Sequence, residues 1–227
     1  MLTQAAARST SIKGQAVQAG PPAWGKELAE AIDFIGSPMS FSRDSEIYSE
    51  GEPADYLYKV VSGTVRTYKV LADGRRQVGG FYLAGDIFGL ETTDEHTFWA
   101  EAITACDVLV IKRSALVALA ARDHDVAGQL WTITGKELHR VQDHIMLLVK
   151  SAQERVAAFL LEMSQRVSTG DAVELPMSRQ DIADYLGLTI ETVSRTLTLL
   201  VNASTIELSS SRRIVLRNRP ALSRLNG

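Results

Sequence analysis

Three side chains in the run IETVSRTL (190–197), Glu191, Ser194 and Arg195, can present hydrogen-bonding groups from one face of a helix. A guanidinium can donate two parallel hydrogen bonds to the O6 and N7 of a guanine. A carboxylate one turn away can accept from the N4 amine of a cytosine. Arg195 and Glu191 have those groups at that spacing, and Ser194 falls between them, near a thymine or the adjacent base edge. An i,i+4 Glu–Arg pair is also a frequent surface ion pair on ordinary helices. The surrounding elements must therefore decide between the two readings.

Upstream, MSRQDIADYLGLT (177–189) reads as a helix followed by a tight turn. Ser178 stands at an N-cap with Asp181 three residues on, a capping box with Asp in the Glu position. Ile182, Ala183 and Leu186 supply a buried face, and Gly187 is expected in the left-handed conformation that ends a helix. Thr189 can cap the second helix, whose Val193, Leu197 and Leu200 turn inward. Then IELSSSRRIVL gives two apolar strands around a Ser-Arg turn. A helix, a glycine turn and a second helix make a helix-turn-helix, whose second helix enters the major groove of DNA by its N-terminal half. Expected phosphate contacts are Ser178, Arg179 and Gln180 at the first helix's start, Thr189 and Thr192 at the second's, and Arg212 and Arg213 in the hairpin turn. Charge distribution agrees. From Met177 onward seven arginines face four acids, giving +3; the whole chain's −3 leaves −6 for residues 1–176. A basic end on an acidic body suits an anionic partner bound by one end.

The rest of the chain must carry and pair this unit. Between about residues 30 and 112, Gly51, Gly63, Gly74 and Gly85 recur every eleven or twelve residues between β-rich runs. VRTYKVLADGRRQVGGFYL reads as a hairpin turning at Asp73-Gly74. Short strands at this spacing predict an antiparallel barrel or jelly roll. A long helical region follows, in which Leu130, Ile133, Leu138, Val141, Ile145 and Leu148 form an apolar stripe with a slip between 133 and 138. That period fits core packing against the β-roll, but it outlasts a single domain face and so favours a two-helix dimer seam. The class is α+β: a flexible tail over 1–28, a β-roll over 29–122, a dimerisation helix over 123–150 and a winged helix-turn-helix over 151–227.

DIADYLGLTIETVSRTL closely resembles the winged helix-turn-helix of the CRP/FNR superfamily of bacterial transcription regulators. QDHIMLLVKSAQERVAAFLLEMSQR is similar to that family's dimer helix and the helix after it. IYSEGEPADYLYKVVSGTVRTYK and FYLAGDIFGLE resemble its cyclic-nucleotide-binding-type β-roll. The resemblance covers nearly the whole chain from about residue 30 and is nearest the rhizobial FixK-type branch. It implies a cytoplasmic homodimer, most simply an activator, on a palindromic site. Glu191, Ser194 and Arg195 would read TTGA-type half-sites, in control of micro-oxic respiration and nitrogen fixation genes. By the same analogy the Gly85-Asp86 turn is expected to touch RNA polymerase.

Departures from family patterns narrow what the roll can sense. Oxygen sensors of the FNR type hold an iron–sulfur cluster on four cysteines, and this chain has only Cys106, read as a buried hydrophobe. Cyclic-nucleotide binders of the superfamily clamp the phosphate with an Arg-Ser pair; here TFWA stands in its place, with Phe98 and Trp99 bulky enough to fill the vacated cavity. His96, His124, His139 and His144 show no metal spacing. Neither a metal nor a cofactor is expected. With no glycine-rich phosphate loop, nucleophile elbow or carboxylate pair in view, an enzyme is not expected. The apolar runs are too short to span a bilayer. Two rival readings stay open: a regulator of this fold gated by a cyclic nucleotide or other small molecule, and an enzyme subunit or scaffold that shares the β-roll.

Overall fold

The computed structural model describes residues 25–169 and 172–226. Helix α1 (Lys26–Ile35) comes first, where a tail reaching residue 28 was expected. Leu28 and Ile32, one turn apart, are buried on it, so this segment has an apolar face that tertiary packing can use. Residues 1–24 of the expected tail lie outside the described residues.

Two four-stranded antiparallel sheets follow. One has the order β1 (Ser37–Phe41), β8 (Cys106–Lys112), β3 (Tyr56–Ser62), β6 (Ile87–Phe88). The other runs β2 (Glu46–Tyr48), β7 (Trp99–Ala102), β4 (Thr64–Val70), β5 (Arg76–Leu83). They form the expected roll. The four periodic glycines all turn with φ between 82° and 94°. At Gly63 a Cβ would also sit 2.4 Å from the carbonyl oxygen of Ala105, so only glycine fits. Val60, Val65, Ala100, Ala102 and Val108 are wholly buried between the sheets.

The interior is filled by other residues than expected. Strand alternation sends Ala100 and Ala102 inward and Trp99 and Glu101 outward. Trp99 therefore stacks on Tyr68, ring centroids 6.3 Å apart, while Phe98 lies against Gly79. Tyr48, Tyr58, Tyr82, Phe88 and His96 pack inside instead, with His96 stacked on Tyr48 at 3.6 Å. Cys106 is buried in the same cluster, and burial, helped by Asp107, pushes its thiol up to about 11. At pH 8 roughly one molecule in a thousand then carries the thiolate, so a maleimide should label the native protein far more slowly than the urea-unfolded chain. Equal rates would place Cys106 at the surface.

Helix α2 (Arg113–Ala120) leads into α3 (His124–Leu148), 25 residues and so about 37 Å long. Asp123 caps α3, accepting from the N–H of Asp125 and Val126. The helix ends before residues 149–151 and a new one starts as α4 (Ala152–Arg166), begun by a capping box between Ser151 and Glu154. The last unit has strands β9 (Ser168–Thr169) and β10 (Ala172–Glu174), helices α5 (Arg179–Leu186) and α6 (Ile190–Asn202), strands β11 (Ile206–Leu208) and β12 (Arg213–Leu216), and helix α7 (Arg219–Asn226). Its sheet has the order β11-β12-β10-β9. The last unit and the roll share a core: Val78, Phe81 and Ile103 cluster with Phe159, Tyr185, Leu186 and Leu197. No described helix is long and apolar enough to cross a membrane.

Candidate nucleic-acid interface

Helix α5 begins as its sequence requires. The Ser178 hydroxyl accepts from the Asp181 N–H at 3.1 Å and donates to Asp181 Oδ2 at 2.7 Å; the Ser178 N–H also donates to that oxygen, at 2.9 Å. It ends at Gly187, φ 61° and ψ 40°, whose N–H returns to the Ala183 carbonyl. Arg155 of α4 holds this end by donating to the Leu186 carbonyl at 2.8 Å. Two residues after Gly187, Thr189 caps α6, its hydroxyl accepting from the Thr192 N–H at 3.2 Å. Val193, Leu197 and Leu200 are buried beneath the helix. The space around Gly187 is ordinary, so Gly187→Ala should cost only the left-handed backbone penalty, about 1 kcal/mol. Thermal unfolding checks this, and an unchanged midpoint would count against the turn's importance.

With its inner face fixed, α6 turns Glu191, Arg195 and Thr198 to solvent, with Ser194 half-buried between them. No hydrogen bond or ion pair among the described residues joins Glu191 to Arg195. Their spacing would permit one on an ordinary surface helix, but here neither side chain is spent on the other. Glu191's own backbone N–H and the Thr189 hydroxyl, with Arg195 contributing less, hold its carboxyl below the usual glutamate range. It is an acceptor at neutral pH.

The expected phosphate contacts divide into three groups. Arg212 ends the turn between β11 and β12 and Arg213 opens β12, and the turn is tied by the Ser210 hydroxyl, which accepts from the N–H of Arg212 at 3.3 Å and of Arg213 at 3.0 Å. Neither guanidinium has a partner among the described residues. Ser178, Thr189 and Thr192 use their hydroxyls in the caps. Arg179 is drawn inward, while Gln180 stays exposed but is tied along its own helix. Arg179 donates to the Ser194 hydroxyl at 3.4 Å, with its Nε buried and unpartnered, and Gln180 donates to Asp184 at 2.6 Å.

The expected dimer stripe needs correcting. Leu138, Val141 and Ile145 are exposed on α3 and Leu148 is half-buried. Ile133, however, is buried and Leu130 partly so, both packed with Leu28, Ile32 and Leu57 under the chain's own roll. The free stripe continues upstream through Trp131, 81% exposed. Residues 131, 138 and 145 are seven apart, a spacing the sequence carried and the jump from 133 to 138 concealed. Asp86 departs as well. Its carboxylate accepts from the Leu83 N–H at 2.7 Å and from Arg166 of α4 at 2.5 Å, an internal use that the sequence reading did not foresee.

Comparison with known proteins gives this geometry its family. Residues 154–225 match the Crp-like helix-turn-helix domain, and residues 38–123 the cyclic nucleotide-binding domain. The chain is 50% identical over 204 residues to the nitrogen fixation regulation protein FixK of Azorhizobium caulinodans, covering 87% of this chain and 82% of that one. It is 38% identical to the transcriptional activatory protein AadR of Rhodopseudomonas palustris, over 75% of this chain and 74% of that one. The solved structure of FixK2 from Bradyrhizobium japonicum superposes with a TM-score of 0.82 at 50% identity, covering 85% of this chain and 98% of that chain. With a relative this similar across most of both chains, and a helix-turn-helix whose two helices are joined through Gly187 and the Thr189 cap, the chain belongs to the CRP/FNR family of DNA-binding transcription regulators.

Proposed function

We propose that this protein is a cytoplasmic homodimeric activator that reads a palindromic TTGA-type site and controls genes of micro-oxic respiration and nitrogen fixation. The observation that carries the reading is the open pair on α6: Glu191 and Arg195 exposed, one turn apart and unpaired with each other. Arg195 takes a guanine, Glu191 a cytosine amine, and Ser194 the edge beside them. Arg212 and Arg213 hold phosphate, as do the N-terminal turns of α5 and α6. The exposed apolar line of Trp131, Leu138 and Ile145 supports two-fold pairing along α3. The names of the FixK and AadR relatives support the target genes and the activating sense, exerted by contact with RNA polymerase.

Control by cyclic nucleotide is not part of this reading. Ala100 points inward from the TFWA stretch that replaces the family's phosphate clamp, and aromatic rings occupy the interior. Binding is tested by titrating the protein against a TTGAT-N4-ATCAA duplex and a scrambled duplex at fixed salt. The expected preference is at least about a thousandfold, and equal affinities would sink the reading. Arg212→Ala should weaken both duplexes alike and lower the slope of log affinity against log salt by about one per protomer. A loss confined to one sequence would instead make Arg212 a base reader.

A further inference from the structure

Arg66 of β4 and Arg76 of β5 leave the roll and enter the DNA-binding unit. Arg66 donates to Asp181 of α5 at 2.5 Å and to Glu101 of β7 at 2.8 Å. Arg76 donates to Asp181 at 2.7 Å and to Asp184 at 2.7 Å. Both guanidiniums lie over the ring of Tyr68, at 5.7 and 5.6 Å. The Asp181 side chain is only 3% exposed and that of Arg66 11%. Beside them Gln77 donates to the Tyr185 carbonyl at 3.3 Å, and Phe81 packs on Tyr185 at 5.2 Å.

The apolar part of this contact adheres without direction. The ionic part is directional, because forked guanidiniums match carboxylates in few geometries. Asp181 is also the residue that closes the capping box of α5. The carboxylate that starts the helix-turn-helix is therefore the one the roll grips. Burial raises its pKa, and the Ser178 hydrogen bonds followed by the two arginines outweigh that, leaving it below its usual 3.8. The chain passes from the α3 side to the helix-turn-helix through the short non-helical segment 149–151, a joint that these contacts lock.

We infer that Arg66 and Arg76 are positioning residues for DNA binding, fixing the helix-turn-helix on its own roll so that a dimer holds its two α6 helices at the half-site spacing. This rests on the homodimer and two-fold site proposed above. The protein is then set for its site by internal contacts, with no effector needed to orient it.

The test measures full-length protein on duplexes carrying one half-site, or two half-sites separated by two to six base pairs, with Arg76→Ala, Arg76→Lys and Asp184→Ala beside the parent. The parent should favour the four-base-pair spacer over a single half-site by about a hundredfold or more, and Arg76→Ala should lose about tenfold of that while its half-site affinity stays within about twofold. Its preference among spacers should flatten, and Arg76→Lys should recover part of it. A general loss of folding would instead lower half-site and full-site binding together. Spacer profiles for Arg76→Ala and Asp184→Ala that superimpose on the parent's would overturn the inference. Should Arg76→Ala not fold, Asp184→Ala alone decides by the same comparison. A parent with no preference for paired half-sites brings down the two-fold reading first, and this inference with it.

Discussion

Arg195→Ala should weaken binding to the TTGAT-N4-ATCAA duplex by about 1–3 kcal/mol per half-site and leave binding to a scrambled duplex nearly unchanged. Two half-sites double the free energy, so the loss on the whole site spans roughly 30-fold to 10⁴-fold. The size follows from geometry: a forked guanidinium satisfies guanine O6 and N7 together, and alanine leaves both acceptors to water. Arg195→Lys should rescue little, because an ammonium is a point charge without the fork. Anisotropy titration at one salt concentration reads both numbers. Parent-like affinity of Arg195→Ala for the specific duplex would remove Arg195 from base reading.

Leu138→Glu and Ile145→Glu should each turn the dimer into a monomer. In a two-fold coiled-coil seam a residue faces its own copy or near neighbours, so each substitution sets two buried carboxylates against one another. Sedimentation should show the mass halve, and affinity for the palindrome should fall to that of one half-site, a loss of about a hundredfold or more. Ile133→Ala separates this face from the one beside it. Ile133 is buried against the chain's own roll, so its truncation should cost about 2–5 kcal/mol of folding stability and leave the mass of the folded protein dimeric. A dimer persisting in both glutamate variants would mean that the exposed stripe serves something else.

Those two faces of α3 show where sequence reading stops. Leu130, Ile133, Leu138 and Ile145 are all apolar at helical spacings, and one stripe through them is a natural expectation. The helix in fact divides these residues between a face packed on its own roll and an exposed face a quarter-turn or so away, and apolar spacing alone does not say which face a residue joins. The helix-turn-helix was legible because its determinants are local. Ser178 with Asp181, Gly187 and Thr189 each act within four residues, and Val193, Leu197 and Leu200 follow the helical period. The turns of the roll were legible for the same reason, through glycines whose φ is positive. Arg66 and Arg76 were not, because their partner Asp181 lies 115 and 105 residues away. Trp99 was misjudged by one step of strand alternation, which puts Ala100 inside and the indole on Tyr68. Asp86 is a turn residue whose acceptor role depends on Arg166, 80 residues on.

The central claim is that Arg195 meets a guanine edge in the major groove. A cycle crossing Arg195→Ala with 7-deazaguanine at the half-site guanine tests it most directly, since that base keeps its pairing edge but lacks the N7 acceptor. The expected result is that 7-deazaguanine weakens the parent by about 1 kcal/mol per half-site and the Arg195→Ala variant hardly at all. Equal losses in parent and variant would contradict the account, because Arg195 and that nitrogen would then act independently.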